Sequence, residues 1–401
     1  MKSEVLNRLG TLILFLVVFN SCNKDGSSIN RISINRNCIL LKVNDSGTLT
    51  VSVTPSNYNA GKLKWISNNP DITIVNKYGV ITAVKPGVAL IIASTVDGKV
   101  KDTCIVTVVK ITNYTTSDGL LSNYVKTIST DSLGNAWFGT VNGVSKFDGI
   151  NWTSFTESDG LASNAVNRIV FDEQKNLWFC TFGGVTKFDG TSWTTYTTND
   201  GLASNQVYAM IIDNQGNKWF GTYNGLSKFD GINWTTYTTS NGLLGYFNLV
   251  FGLIADKKSS NVWALTNVGL SIFNGNSWTG YSTNSSLGSA FYGIFSDRYN
   301  NKWLATINGI FKFDGTNWTK PIKDADNKIF FAHDILFDNQ DNIWFTTSNG
   351  IYKYDGKNIS SFEKDNFQML NKTEINQIVI DKNENIWIAK TYEGVFKLET
   401  K

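Results

Sequence analysis

Of 401 residues only one is a histidine, His333, and of five arginines only Arg168 and Arg298 lie beyond residue 36. A lone imidazole can serve as a general base, but it cannot supply the histidine cluster that zinc requires. Cleaving a glycoside needs two carboxylates facing each other across a sugar. Here the acidic residues are scattered, apart from one aspartate that recurs in turns, and a single aspartate per turn offers too few oxygens for calcium. No catalytic residue, no metal and no cofactor is therefore expected. The net charge of +3, with no Lys/Arg cluster, excludes a surface that tracks nucleic-acid phosphates. What remains for chemistry is stacking and hydrogen bonding, because 13% of the chain is aromatic.

The N-terminus suggests an address. Lys2 and Arg8 precede an apolar run from Leu9 to Phe19, too short to span a bilayer as a helix but suited to a signal-peptide core. The run ends in FNSC, which resembles a bacterial lipoprotein signal. That resemblance implies a signal peptide over 1–22, lipidation of Cys22, a linker over 23–29, and a lipid anchor in the cell envelope. The membrane expected is the outer one of a Gram-negative bacterium.

Residues 30–109 alternate short apolar strands with turn signals, as in GTLTVSVTP, GVITAV and DTCIVTVV. Seven or so strands in this length predict a β-sandwich. Pro55, Trp65, the Asn69-Pro70 turn, Gly79 and the Val84–Gly87 turn resemble the bacterial Ig-like domains of the intimin/invasin type, group 2. The resemblance implies a spacer or adhesion module. Cys38 falls near the first strand and Cys104 in the last, so a disulfide and two separate buried thiols are both open readings.

The rest of the chain repeats itself. Trp137, Trp178, Trp219, Trp263, Trp303, Trp344 and Trp387 hold one phase in seven successive units, and Trp152, Trp193, Trp234, Trp278 and Trp318 follow the first five by 15 residues. Each unit holds four strand-like pieces, a to d. An Asp-started turn joins a to b, and an FDG-type turn joins c to d. Four antiparallel strands in about 41 residues describe a β-propeller blade. The recurring GLxSNxVxxIxxDxxGNxWFGTxxGVxKFDG resembles the two-component regulator propeller repeat, which implies a propeller over 111–401 with a ligand bound on it. The seventh unit lacks strand d. Ile111 and Tyr114 precede Gly119 by the same 8 and 5 residues that separate Trp152 and Phe155 from Gly160. Residues 111–116 should therefore complete the seventh blade. The expected fold class is all-β, an Ig-like sandwich followed by a seven-bladed propeller closed by an N-terminal strand.

A propeller with two arginines lacks the arginine triad of sialidases, and one with a single histidine lacks the metal-binding histidines of streptogramin-type lyases. A binding function fits better, and the repeats show where by disagreeing. Two places before the recurrent Ile128 position stand Lys126, Asn167, Tyr208, Phe251, Tyr292, His333 and Asn376. Arg168 lies beside them, and the b–c loops add Phe182 and Tyr223. Varied tips on a rigid scaffold are where recognition is usually placed. Aromatics among amides suit a glycan or peptide ligand. The alternative is a structural or adhesion protein that uses the ring to dock another envelope protein.

Overall fold

The computed structural model describes residues 29–400 apart from 57–62, 246–247, 258, 283–286, 288–289, 323–331, 348–349, 358 and 364–374. Cys22 lies outside the described residues. In the N-terminal sandwich, alternation along Gly87–Ser94 and Lys101–Tyr114 turns one face inward. Ile91, Ala93, Cys104, Val106 and Val108 pack there with Ile32, Leu49 and Ile81.

Cys38 and Cys104 are not bonded to each other. Strand Cys38–Lys42 runs parallel to Lys101–Tyr114 with Cys38 opposite Ile105. Cys38 therefore shares the outward face of Ile105, whereas Cys104 points into the core. The sequence left open a disulfide or two separate buried thiols; the thiols are separate, but only Cys104 is buried and Cys38 is half-buried.

Beyond the sandwich, six four-stranded antiparallel sheets follow in order, the first built from Val125–Thr130, Ala136–Thr140, Gly143–Phe147 and Trp152–Phe155. Strand b is buried along its whole length in the second blade, Leu177–Thr181. It is covered on both faces by neighbouring blades, which is why it reads as a continuous apolar run and not as an alternation. Strand d tryptophans pack beneath the d–a turn that leads into their own blade. At Gly160, with φ of +125°, a Cβ would lie 2.6 Å from Cγ of Trp193, so the glycine of the GLxSN motif is required twice over. The inner strands touch in sequence around the ring, and the seventh, Ile375–Ile380, touches the first.

The seventh blade is completed from the other end of the chain. Strand Gly394–Glu399 pairs antiparallel with Lys101–Tyr114, with Val395 opposite Tyr114 and Leu398 opposite Ile111. That 14-residue strand also belongs to the sandwich, where its earlier residues pair with Gly87–Ser94 and Cys38–Lys42. The last blade and the sandwich thus form one continuous sheet. Leu40 and Val109 pack into the blade core around Trp344, Ile388 and Leu398, so the junction has a shared hydrophobic centre.

Each a–b turn is held by its aspartate. Asp213 Oδ1 accepts the backbone N–H of Gln215 and of Asn217, both at 2.9 Å. Its Oδ2 accepts Nδ2 of Asn217 and the indole Nε1–H of Trp219, both at 2.8 Å. The indole bond recurs at Trp137, Trp178, Trp303, Trp344 and Trp387. The fourth blade departs from it. Seven residues, not six, separate Asp256 from Trp263, and the buried Trp263 Nε1 has no hydrogen-bond partner.

Candidate functional site

The varied positions noted in the sequence share a backbone feature. Strand a pairs with strand b through a one-residue slip at Lys126, Asn167, Tyr208, Phe251, Tyr292 and Asn376. In the sixth blade the slip covers His333 and Asp334. A bulge re-aims the side chain it carries, and here seven bulges ring one mouth of the propeller.

Their side chains serve different ends. Asn376 donates from Nδ2 to the Val125 carbonyl at 2.8 Å and accepts from Thr391 Oγ1 at 3.0 Å. Asn167 donates to the Val207 carbonyl and accepts from Lys126 Nζ, both at 2.8 Å. These two amides fasten neighbouring blades, and both residues are half-buried. Phe251 is half-buried and packs on the core around Trp263 and Leu304. Phe291, one place before Tyr292, is also core.

The remaining residues form two groups. Lys126 Nζ stands 4.5 Å from the ring centre of Phe182, and burial draws its pKa below the usual lysine range. Phe182 meets Tyr208 edge-on at 5.7 Å. Burial raises the Tyr208 phenol, helped by the nearby Tyr223. Phe182 is 41% and Tyr223 50% exposed, so the strip from Lys126 through Phe182 and Tyr208 to Tyr223 offers ring surface to solvent across the first three blades. The second group is Tyr292 against His333, with ring centres 5.2 Å apart, on the fifth and sixth blades.

One functional candidate escaped the sequence reading. Asp334 accepts the backbone N–H of Ile335 at 3.0 Å and of Ile378 at 2.8 Å. Burial pushes its carboxyl up to about 6, opposed by those bonds and by Arg168. Blades two and six are not adjacent, so Arg168 acts on Asp334 from a distance. The signal was present in the repeats. The place after each bulge residue reads Thr127, Arg168, Ala209, Gly252, Gly293, Asp334 and Gln377, one cation and one anion among neutral residues. Among the described residues, no group of three His, Cys, Asp or Glu side chains converges to hold a metal.

The arrangement can stack against flat or apolar ligand faces. Residues 28–108 match the family described as bacterial Ig-like domain (group 2), and residues 160–183 and 201–224 match two component regulator propeller. An uncharacterized protein of Clostridium acetobutylicum is 34% identical over 92 residues, which is 23% of this chain and 10% of that protein. The chain thus spans about a tenth of that relative's length. Among solved structures, the extracellular domain of a protein described as a hybrid two component system from B. thetaiotaomicron superposes with a TM-score of 0.62 at 23% identity. The match covers 73% of this chain and 42% of that one. Virginiamycin B lyase from Staphylococcus aureus superposes with a TM-score of 0.59 at 16% identity, covering 73% of this chain and 99% of the lyase. At these identities the likeness establishes the propeller fold and nothing of its chemistry. The chain carries a bacterial Ig-like domain of group 2 followed by a propeller in which residues 160–183 and 201–224 match the two component regulator repeat.

Proposed function

We propose that this is a non-enzymatic, lipid-anchored ligand-binding protein of the sensor type, with the propeller mouth receiving a glycan or peptide and the Ig-like domain as its spacer. The observation that carries the reading is the exposed strip Lys126–Phe182–Tyr208–Tyr223, whose rings are not consumed by the blade core. Likeness to the extracellular domain of a two-component system supports a sensor role. The lyase likeness favours no catalytic reading, because His333 is the sole histidine and it lies against Tyr292.

Soluble protein lacking the first 22 residues, screened against glycan and peptide arrays, tests the reading. Tyr208→Ala or Tyr292→Ala should weaken binding about thirtyfold, the effect of losing a central aromatic anchor of about 2 kcal/mol. The melting temperature should stay nearly unchanged. Binding that survives both substitutions would remove the mouth from consideration. The anchor has its own test. Cys22→Ala should move the protein from the membrane to the soluble fraction, and unaltered membrane association would refute lipidation at Cys22.

A further inference from the structure

On the reading that the mouth is the binding face, we infer that it carries a further aromatic pair, Tyr124 with Tyr392, and that Lys126 beside the pair seats the carboxylate of a uronic-acid glycan. Tyr392 lies in the b–c loop of the seventh blade, which is built differently from the rest. There Lys390 stands opposite Gly394, whereas Thr140 in the first blade stands opposite Gly143, so the seventh loop is one residue longer. The threonine that ends strand b in the other six blades bonds the carbonyl of its facing glycine. Lys390 replaces it and pairs with Glu393 at 2.6 Å. The rebuilt loop holds Tyr392 at a φ of +66° with 69% of the residue exposed. A tyrosine in the left-handed region is strained, and strain of this kind collects at functional sites. Its ring centre lies 4.9 Å from that of Tyr124, on the connection that enters the first blade.

Hydrogen bonds across the seam fix this pair next to Lys126. Thr391 Oγ1 donates to Asn376, whose own amide donates to the Val125 carbonyl at 2.8 Å. The backbone N–H of Gly394 donates to the Asn123 carbonyl at 2.9 Å. In blade order, Lys126 thus falls between Tyr392 with Tyr124 and Phe182 with Tyr208. The aromatic strip described above therefore continues past Lys126 onto the seventh blade.

The charge of Lys126 selects the ligand. An ammonium has three donors, and this one makes a single hydrogen bond, to Asn167, while standing over the Phe182 ring. Among the described residues no carboxylate pairs with it, and burial alone moves its pKa, downward. The acidic residues of the adjoining loops are tied to their own turns. Asp118 accepts the Thr115 N–H, Asp159 the Thr156 N–H and Glu157 the Asn164 N–H, each at 2.8 Å, while Glu393 holds Lys390. Arg168, exposed on the second blade, adds another positive charge. A half-buried ammonium with spare donors and no counter-ion favours an anion brought from outside. Because Nζ stands 4.5 Å from the centre of the Phe182 ring, that anion must lie close to a stacking face. A uronic acid carries its carboxylate on the very ring that stacks. In an acidic peptide the carboxylate stands on a flexible stem, apart from any flat group. Neighbouring sugars of the same chain then reach Tyr208 on one side and Tyr392 on the other.

The test titrates the same soluble protein, by calorimetry, with oligogalacturonate and oligoglucuronate. Their methyl esters, neutral galacto- and gluco-oligosaccharides, and an oligoglutamate peptide serve as comparisons. At least one uronate should saturate, and its methyl ester should bind at least tenfold more weakly. Lys126→Gln keeps a donor for Asn167 but removes the charge, and should weaken the uronate about tenfold or more while leaving the ester unchanged. Tyr392→Gly removes the ring and relieves the turn. It should melt no lower than wild type, yet bind the longer uronates about tenfold more weakly. The inference is overturned if no uronate saturates, if uronate and ester bind alike, if oligoglutamate binds in their place, or if either substitution spares uronate binding. A neutral glycan whose binding is weakened by Tyr208→Ala but not by Lys126→Gln would overturn it while leaving the mouth as the binding face. Uronate binding that Tyr208→Ala leaves untouched would count against the mouth itself.

Discussion

Replacing Tyr114 by alanine should destabilise the protein by about 3 kcal/mol, the lower range for truncating a large aromatic in a core. Tyr114 ends the strand that completes the seventh blade, and its ring lies 5.0 Å from Phe147, 5.7 Å from Trp152 and 5.9 Å from Trp387. It therefore packs the closing strand between the first blade and the rest of the seventh, to which no peptide bond joins that strand directly. At about 2–4 °C per kcal/mol for domains of 150–250 residues, the melting temperature should fall by about 6–12 °C. Tyr196 offers the matched control, because its ring packs similarly on Trp178, Phe229 and Trp234 between blades that follow one another in the chain. Tyr196→Ala should lose comparable stability without aggregating. Tyr114→Ala should aggregate as well, because loosening Lys101–Tyr114 exposes the edge of Gly394–Glu399. A Tyr114 variant that melts like wild type would place ring closure elsewhere. Deleting residues 111–116 should be harsher still, whereas a chain beginning at residue 106 keeps the pairing residues 110–114 and should fold.

The second large effect is expected at Asp213→Ala. The substitution strands the indole N–H of Trp219, which is 1% exposed, and the backbone N–H of Asn217, and it leaves the Asn217 side-chain amide only its bond to Gln215 Oε1 at 3.2 Å. Each buried donor left unpaired costs about 1–3 kcal/mol, so a loss of about 3–5 kcal/mol at pH 7 should appear in urea unfolding. The loss should depend on pH. Burial alone would raise the Asp213 carboxyl, but the bonds from Trp219, Asn217 and Gln215 outweigh it and hold the pKa below its ordinary 3.8. A depressed carboxyl contributes stability above that value and loses it as pH falls through the folded pKa. The gap between variant and wild type should therefore be full at neutral pH and narrow below about pH 4. A gap independent of pH would assign the effect to packing alone.

Residue phase made the propeller legible, because tryptophans and turn aspartates at fixed spacing are constraints of stacking. Even the closing strand could be read from spacing, and Tyr114 does occupy in the seventh blade the place Phe155 holds in the first. The rim was legible as a set of positions but not as a set of roles. Asn167 and Asn376 vary among the repeats as ligand-binding residues would, yet their amides bond across the blade seams, and a side chain's direction at a bulge cannot be read from type. The recurrent aspartates were legible as turn residues, and Oδ1 holds the turn through backbone N–H groups. The indole bond at Oδ2 joins residues six apart, and it shows only when the turn is folded. The separation of Cys38 from Cys104 depends on a parallel register, and nothing in either strand's composition states that register.

The strand Lys101–Tyr114 also has a mechanical meaning. If the ring is held by a ligand while the N-terminal side is pulled, the load enters the propeller through this strand, along its own axis. The bonds it makes with Gly394–Glu399 on one side and Gly87–Ser94 on the other lie across that axis, so they are sheared together and not peeled singly. Resistance to such a pull is set by the unfolding rate and not by equilibrium stability. A sheet common to tether and ring would let this protein bear tension without a hinge to give way first.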